Sequence, residues 1–181
     1  MDRNNKWHLH WIALIALCKG DYCNAVVYGT PAYAVRCLQA ILNATGRLIT
    51  GTRLNEHITP IFRDTLHWLP ITQRIDYEIA LMAYICVHGS SPAYFHGICH
   101  PVASVEGRAT LRSANYRELV EPQMRGKRYG PCSFCVATPF VWNSVLFHLR
   151  NDINREQFAR DLKTFLFARA YSSEAPLRTS V

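Results

Sequence analysis

Apolar residues recur at every third or fourth position in the first half of this chain, and this spacing places them on one face of an α-helix. The clearest run consists of Ala34, Leu38, Ile41, Leu42, Thr45, Leu48 and Ile49. Thr30 is placed to cap the helix, Pro31 suits its first position, and Gly51 ends it. Gly46 costs a helix up to ~1 kcal/mol relative to alanine, so its presence indicates close contact with another element. The pattern predicts a helix over residues 31–49.

The same periodicity and the residues that start and stop helices predict further helical segments. A second long helix is expected over residues 70–88. Its apolar stripe consists of Ile71, Ile75, Ile79, Met82 and Cys86. A short helical turn is expected near 59–65, and another helix near 138–150. The last helix begins at Asn154, which forms a capping-box pattern with Gln157. Its apolar face consists of Phe158, Leu162, Phe165 and Leu166.

Residues 100–131 lack helical periodicity, and two short stretches within them suit a pair of strands. The stretches are "TLRS", which begins at Thr110, and "RELVE", which begins at Arg117. We therefore predict a mainly α fold: a helical domain with a small β-ribbon around residues 108–122. The predicted boundaries are an apolar N-terminal helix over 1–20, the helical domain over 21–171 and a loose polar tail over 172–181.

The chain has 181 residues, enough for a sizeable core, and a net charge of +7 from 20 Lys and Arg against 13 Asp and Glu. This basic balance favours nucleic acids or anionic membranes as partners. The apolar run from Trp11 to Cys18 is far too short to span a bilayer, and no membrane partner is expected. The run follows basic residues and loosely resembles a secretory signal, although a buried helix is the favoured interpretation.

Seven cysteines occur at irregular spacings, and their odd number argues against a secreted disulfide framework. Reduced, buried thiols in an intracellular protein, nuclear or cytoplasmic, are the favoured interpretation. Cys132 and Cys135 have the Cys-x-x-Cys spacing of a zinc knuckle or a redox pair. Zinc needs two further ligands, and although His148 and Cys99 are candidates, nothing in the sequence brings them near. We therefore expect no metal and no cofactor.

The carboxylates of the chain do not suggest a catalytic centre. Nucleotidyl transfer requires carboxylates that hold two metal ions, and no two aspartates here are adjacent or lie in a strand-turn-strand pattern. The chain also lacks a Gly-Lys-Ser/Thr phosphate loop and a Gly-x-Ser-x-Gly elbow. No catalytic residue is assigned, and we expect a protein that is not an enzyme.

Basic residues interleaved with an aromatic residue offer a different lead. The stretch "MRGKRYG" places Arg125, Lys127, Arg128 and Tyr129 within five positions. Such a loop can contact phosphates and stack on a base. A solvated basic loop without a partner is an equally good interpretation of the same residues.

Several blocks resemble one family. The stretch "DYCNAVVYGTPAYAVRCLQAILNATGRLITG" is similar to the segment that follows the polymerase domain in non-LTR retrotransposon reverse transcriptases, as carried by jockey-like and chicken-repeat-like elements. "HITP", "LHWLP" and "RIDY" then follow in the order and spacing of those proteins. "TLRSANYRELVEP", "RGKRYGPCSFCVATPFVWNSV" and "FARDLKTFLF" continue the similarity. The resemblance extends from about Asp21 to Tyr171.

The resemblance implies nucleic-acid binding without polymerase chemistry. In the family, the catalytic aspartates lie in a palm domain upstream of the matched segments, which correspond to the thumb and C-terminal extension. The implied partners are RNA or an RNA–DNA hybrid, and an upstream polymerase domain. The candidate contacts in basic loops are Arg47, Arg53, Arg74, Arg125, Lys127 and Arg128. The relatives have a basic residue and a small residue at Cys132 and Cys135, so this pair resembles two independent substitutions.

The favoured expectation is a catalytically empty C-terminal fragment of a LINE-type reverse transcriptase that binds nucleic acid non-specifically through basic loops. Three alternatives stay open at this point. The chain is a non-functional translated fragment of a transposon, or a domesticated protein-interaction module, or a small secreted cysteine-containing protein that uses Trp11 to Cys18 as its signal.

Overall fold

The computed structural model describes residues 27–89, 91–92, 95, 99–108, 110–122, 134–151 and 154–172. Its α-helices are α1 (Ala32–Thr50), α2 (Thr59–Ile61), α3 (Ile71–Val87), α4 (Arg112–Asn115), α5 (Phe134–Ser144), α6 (Phe147–Arg150) and α7 (Arg155–Tyr171). A π-helical turn (Phe62–Leu66) follows α2, and a 3-10 turn (Val102–Ser104) precedes α4. The fold is therefore mainly α, as the apolar periodicity predicts. The predicted helix over 1–20 and residues 173–181 of the predicted tail lie outside the described residues.

The described chain divides into two compact units. Unit 1 contains residues 31–74 and 165–172, and unit 2 contains residues 27–30 and 75–164. The buried apolar side chains of unit 1 include Leu42, Ile58, Phe62, Leu69, Ile71 and Leu166. The most deeply buried large side chains of unit 2 are Trp142, Phe158, Ile79, Leu119 and Leu162. Each unit thus withdraws its own set of apolar side chains from solvent, which is the main favourable contribution to folding.

Helix α1 confirms the prediction made from the first apolar stripe. Gly51 ends the helix in the left-handed conformation, with a φ of 71°, and its N–H donates to the carbonyl of Arg47. Glycine adopts this conformation without the steric cost that a Cβ atom brings. The predicted cap is wrong, because the Thr30 hydroxyl donates back to the carbonyl of Val27 at 2.8 Å and makes no capping bond to α1.

Gly46 lies buried in α1 against the side chain of Phe62, which confirms the close contact that its position predicts. A Cβ atom at Gly46 would lie 2.3 Å from Cε1 of Phe62. Phe62 belongs to the π-helical turn after α2, and its side chain is only 2% exposed. Its ring centroid lies 5.7 Å from that of Trp68. Glycine therefore allows an aromatic ring to lie directly on the α1 backbone.

Helix α3 confirms the second predicted long helix. Ile71, Ile75 and Ile79 are buried as the stripe predicts, but Met82 at the same spacing is 38% exposed. The buried face continues instead through small and aromatic residues, including Ala80, Ala83 and Tyr84. The left-handed Gly89, with a φ of 68°, follows the helix.

The helix predicted near 138–150 is two helices in the structure. The first of them, α5, begins earlier than predicted, and α6 follows after a short break. At the break, the N–H of Val145 bonds to the carbonyl of Trp142 at 3.1 Å, three residues back, and Leu146 is extended with a ψ of 139°. The break therefore arises because the last turn of α5 tightens and the chain then leaves the helical conformation.

Helix α7 begins at the predicted cap. The Oδ1 atom of Asn154 accepts the N–H of Glu156 at 2.9 Å. The other half of the predicted capping box is absent from the described hydrogen bonds, because Oε1 of Gln157 instead accepts from Nη2 of Arg160 at 2.8 Å. The predicted apolar face is buried at Phe158, Leu162 and Leu166.

The small β-ribbon predicted around 108–122 is not found among the described residues. Its first half runs into helix α4, whose turns use the backbone groups that a strand would need. Its second half instead forms an isolated antiparallel bridge in which Leu119 pairs with Pro101. The N–H of Val120 donates to the carbonyl of His100 at 2.8 Å beside this bridge. The strand-like segment therefore pairs with a partner that lies before the predicted ribbon.

Two side chains of α5, Trp142 and Asn143, hold the backbone of the same segment. Asn143 binds both polar groups of Leu119: its Oδ1 accepts the N–H at 2.9 Å, and its Nδ2 donates to the carbonyl at 3.0 Å. The indole Nε1 of Trp142 donates to the carbonyl of Arg117 at 2.8 Å. A side-chain amide thus occupies the edge where a second strand would bond. We call Trp142 and Asn143 the α5 clamp.

Candidate nucleic-acid interface

The predicted nucleic-acid contacts separate into two groups. Arg47, Arg53 and Arg74 lie in unit 1, at the last turn of α1, in the following loop and in the first turn of α3. Arg125, Lys127 and Arg128 lie outside the described residues. The structure therefore places half of the predicted contacts, and their surroundings differ from one to the next.

Arg47 ties the loop of residues 51–57 to the end of α1. Its Nη2 atom donates to the carbonyl of Glu56 at 3.2 Å. Its own carbonyl accepts the N–H groups of Gly51 at 2.8 Å and Thr52 at 3.2 Å. Because the Arg47 side chain is half-buried and bonded to the loop, it is less available than an exposed arginine to contact an external phosphate.

Arg53 extends from the same loop into solvent. Its side chain is exposed, and among the described residues its guanidinium makes no hydrogen bond or ion pair. Its carbonyl accepts the N–H of Glu56 at 3.2 Å, which closes a turn. A guanidinium carried on a turn and free of a carboxylate is well suited to bind a phosphate.

Arg74 lies over an aromatic ring, with its guanidinium carbon 5.9 Å from the ring centroid of Trp68. That distance lies within the range of a cation–π interaction. Trp68 is in turn held by Tyr171, whose hydroxyl donates to the Trp68 carbonyl at 2.6 Å. Burial raises the pKa of Tyr171 to about 12, so this hydroxyl keeps its proton to a higher pH than an exposed tyrosine does.

Sequence reasoning missed a basic and aromatic pair on α1. Tyr33 is 65% exposed and precedes the exposed Arg36 by three residues. Residues at this spacing lie on one side of a helix, so a ring and a guanidinium face solvent together. Among the described residues, the Arg36 guanidinium has no hydrogen bond or ion pair. The spacing is readable from the sequence, but the exposure of this face is not.

Another basic residue of unit 1 is already paired. Arg63 donates to both carboxylate oxygens of Asp64, from Nε at 2.7 Å and from Nη2 at 3.0 Å. This hydrogen bond holds the pKa of Asp64 below its ordinary value. Both side chains are exposed, so the pair adds little to stability. Because the Asp64 carboxylate largely neutralises the charge of Arg63, this arginine attracts an anionic partner only weakly.

The positive charge of the described residues is concentrated in unit 1. The described part of unit 1 contains six arginines and only two acidic residues, Glu56 and Asp64. The described part of unit 2 contains seven basic and seven acidic residues. Unit 1 combines stretches from both ends of the described chain, and composition alone therefore does not reveal this asymmetry.

Unit 2 contains a basic side chain that solvent does not reach. Arg150 is 4% exposed, and its Nε and Nη1 atoms have no hydrogen-bond partner among the described residues. Burial lowers the pKa of Arg150, and the negative charge of Glu118 opposes that shift. Because its guanidinium is enclosed, Arg150 cannot serve as a contact for an external phosphate.

The described thiols do not form a metal site. Cys135 is exposed in the first turn of α5, and its predicted partner Cys132 lies outside the described residues. Burial raises the pKa of Cys86 and raises that of Cys99 to about 12, so both thiols keep their protons at neutral pH. Among the described residues, no three or more His, Cys, Asp or Glu side chains gather where they could hold a metal ion.

Two further findings concern the chain as a whole. Within the described residues, every helix is either too short or too polar to cross a membrane. Comparison with known protein families, with curated proteins and with solved structures finds no match for this chain.

Proposed function

We propose that the chain is a nucleic-acid-binding C-terminal portion of a LINE-type reverse transcriptase and has no polymerase activity of its own. The excess of arginines over acidic residues in the described part of unit 1 is the observation that supports binding. The ordered blocks of sequence similarity support the family. The proposed ligand is RNA or an RNA–DNA hybrid, bound mainly through its phosphates.

The charge asymmetry favours a partner that lies along unit 1. Six arginines with two acidic neighbours create a positive potential that attracts a polyanion, whereas seven charges of each sign in unit 2 create little net field. The exposed Arg36 and Arg53 are the members of this set best able to reach a phosphate. Phosphate contacts position a nucleic acid without reading its bases, so the binding is expected to be non-specific.

An exposed ring beside the arginines fits the same ligand. Tyr33 presents its ring next to Arg36 on α1. Stacking of a base on an aromatic ring tolerates any sequence, because every base has a π-face. Unit 1 therefore offers both components of non-specific single-strand or loop binding, a cation for the backbone and a ring for a base.

Binding across a salt series tests the proposal. A fluorescent RNA hairpin and an RNA–DNA hybrid are titrated with the full chain, and log K is plotted against log salt concentration. Each phosphate contact contributes about −0.7 to −0.9 to that slope through counterion release. The double substitution of Arg36→Ala and Arg53→Ala removes two such contacts and is expected to flatten the slope by about 1.4 to 1.8 units.

A matched control removes the same charge from unit 2. Arg108 and Arg112 are exposed there, so Arg108→Ala with Arg112→Ala lowers the net charge equally. We expect this control to leave the slope nearly unchanged. Equal effects of the two double substitutions would show that binding follows net charge alone, and would refute the placement on unit 1. A third variant, with Arg125, Lys127 and Arg128 replaced by Ala, tests the predicted loop.

A protein-interaction module is the second candidate, and one observation favours it. Helix α1 exposes Ile41 at 57% and Leu48 at 43%, on the same side as Tyr33. Apolar side chains at such spacing on an exposed helix are typical of a surface that meets another protein. Failure of the chain to bind either nucleic acid at low salt would contradict the first proposal and favour this one.

A further inference from the structure

Helix α1 has an apolar face that unit 1 does not bury. The buried side of the helix includes Leu42 and Gly46. On another side, Ile41 is 57% exposed and Leu48 is 43% exposed. These two belong to a set of exposed residues that cover an arc of about 100° around the helix axis. We call this set the open face of α1: Cys37, Ala40, Ile41, Ala44 and Leu48. A contiguous apolar face indicates a docking surface, whereas single exposed apolar residues need no partner.

An apolar segment precedes this helix in the chain. Residues 7–18 form the apolar part of the predicted N-terminal helix and lie outside the described residues. Their sequence, "WHLHWIALIALC", contains no Lys, Arg, Asp or Glu. Its large side chains recur at spacings of four, three and four, which places one set on a single side of a helix. The members of this set are Trp7, Trp11, Leu14 and Cys18. A helix of this composition is stable in water only if it buries its apolar side.

The apolar stripe of residues 7–18 matches the open face when one of the two is reversed. In reverse order, the open face has the same spacings through Leu48, Ala44, Ile41 and Cys37. Antiparallel helices in this register place Trp11 opposite Ala44. They also place Ile15 opposite Ala40. Large side chains of one helix thus face small side chains of the other, which lets two helices approach closely and interdigitate.

The connection is long enough for the segment to return along α1. Cys18 lies nine residues before Val27, the first described residue, and nine residues span up to ~30 Å. The open face, from Cys37 to Leu48, extends over only ~17 Å at a helical rise of 1.5 Å per residue. The chain also turns just before α1, where the N–H of Thr30 donates to the carbonyl of Val27 at 3.2 Å.

We propose that residues 7–18 dock on the open face of α1 as an antiparallel helix, with Cys18 beside Cys37. A second copy of the chain is a poorer occupant, because it would bring together two units that each contain six arginines and two acidic residues among the described residues. The uncharged segment meets no such repulsion. The open face excludes Tyr33, Arg36 and Arg53, so this docking is independent of nucleic-acid binding.

Disulfide cross-linking in the full chain tests both the docking and its register. Cys23 lies five residues from Cys18 and is replaced with Ser so that it does not compete. Diamide then oxidises neighbouring thiols to disulfides and takes up their hydrogens, and peptide mass spectrometry identifies the bonds. We expect Cys18–Cys37 within one chain to exceed any bond from Cys18 to the exposed Cys135 by about tenfold or more, since a disulfide requires Cα atoms about 4.4–6.8 Å apart. Absence of this preference would overturn the proposal. Cys37 bonds that join two chains would show that a second copy occupies the face instead.

One substitution on the open face separates docking from chance encounter of the thiols. Ile41→Glu places a charge beneath the docked segment and should lower the Cys18–Cys37 yield by about tenfold or more, because an unpaired charge is costly to bury. Ile41 is exposed, so the substitution leaves the core of unit 1 intact. Leu54→Glu is the matched control, because Leu54 is 89% exposed in the loop after α1 and lies outside the open face. It should leave the yield unchanged. Equal yields in Ile41→Glu and Leu54→Glu would refute the docking.

Discussion

Replacing Gly46 with alanine is expected to destabilise the protein, against the ordinary preference of helices. The new Cβ atom would lie 2.3 Å from Cε1 and 3.1 Å from Cζ of Phe62. Carbon atoms in contact normally lie about 3.5–4.0 Å apart, so the ring or the helix backbone must move by about 1 Å or more. The Phe62 ring has little room to do so, because its side chain is 2% exposed and contacts Trp68.

The sign of the effect follows from two opposing contributions. Alanine in place of glycine in a helix interior stabilises by up to ~1 kcal/mol. Overpacking of a well-filled core costs about 1–3 kcal/mol, and the short distance to Cε1 of Phe62 places this substitution toward the upper end of that range. We therefore expect a net destabilisation of about 1–2 kcal/mol for Gly46→Ala.

Urea unfolding followed by far-ultraviolet circular dichroism measures this difference. With a denaturant dependence of about 2 kcal/mol per molar urea, the midpoint should fall by about 0.5–1 M. Ala44→Gly is the matched control, because Ala44 is exposed on α1 two residues earlier. It reports the helix preference alone and should cost up to about 1 kcal/mol.

A double-substitution cycle with Phe62→Leu tests the cause. The smaller side chain makes room for a Cβ atom, so Gly46→Ala should cost much less in the Phe62→Leu background than in the original chain. The difference between the two backgrounds is the interaction energy between the positions. If Gly46→Ala stabilises the protein equally in both backgrounds, the close contact with Phe62 does not determine stability and the reasoning is wrong.

Other perturbations address the α5 clamp, a buried hydroxyl, metal binding and catalysis. Asn143→Ala leaves both backbone polar groups of Leu119 unpaired, and Leu119 is 2% exposed, so urea unfolding should show a loss of about 2–4 kcal/mol. Equal stability of Asn143→Ala and the original protein would contradict the clamp. The raised pKa of Tyr171 stabilises the fold below pH 10, and this contribution is lost as the pH rises toward 12, so the stability advantage over Tyr171→Phe should shrink between those values. An advantage that stays constant over that window would show that the hydroxyl titrates normally. After metal-free dialysis, elemental analysis should find no stoichiometric zinc. Stoichiometric zinc that is lost in Cys132→Ser would instead show that Cys132 is a ligand of a zinc knuckle. A primer-extension assay with Mg²⁺ or Mn²⁺ should show no incorporation above a mock preparation, because the sequence has no paired carboxylates.

The main helices could be predicted because their signals are local. The stripe of α1, the left-handed Gly51 after it and the cap at Asn154 depend on residues within a turn or two of each other. The close contact at Gly46 could also be predicted locally, because glycine within a helix lowers stability relative to alanine unless a close neighbour requires it. The identity of that neighbour, Phe62, is not a local property, because it depends on how the chain returns to α1.

The segment around 108–122 shows where local reasoning fails. Its alternation suits a strand, and Leu119 does lie in an antiparallel bridge. Its partners are Pro101 on one side and the Asn143 side chain on the other. The free N–H and C=O groups of a strand edge can bond either to another strand or to a side-chain amide. Only the tertiary arrangement determines which of these partners lies at the right distance.

The candidate binding residues show the same division between local and tertiary information. The sequence by itself determines the helical class, the excess of basic residues and the identity of the arginines. The tertiary structure decides which arginines are available: it encloses Arg150, pairs Arg63 with a carboxylate and leaves Arg53 in solvent. Burial and exposure depend on contacts between distant segments, whereas helix formation depends on neighbours a few residues apart.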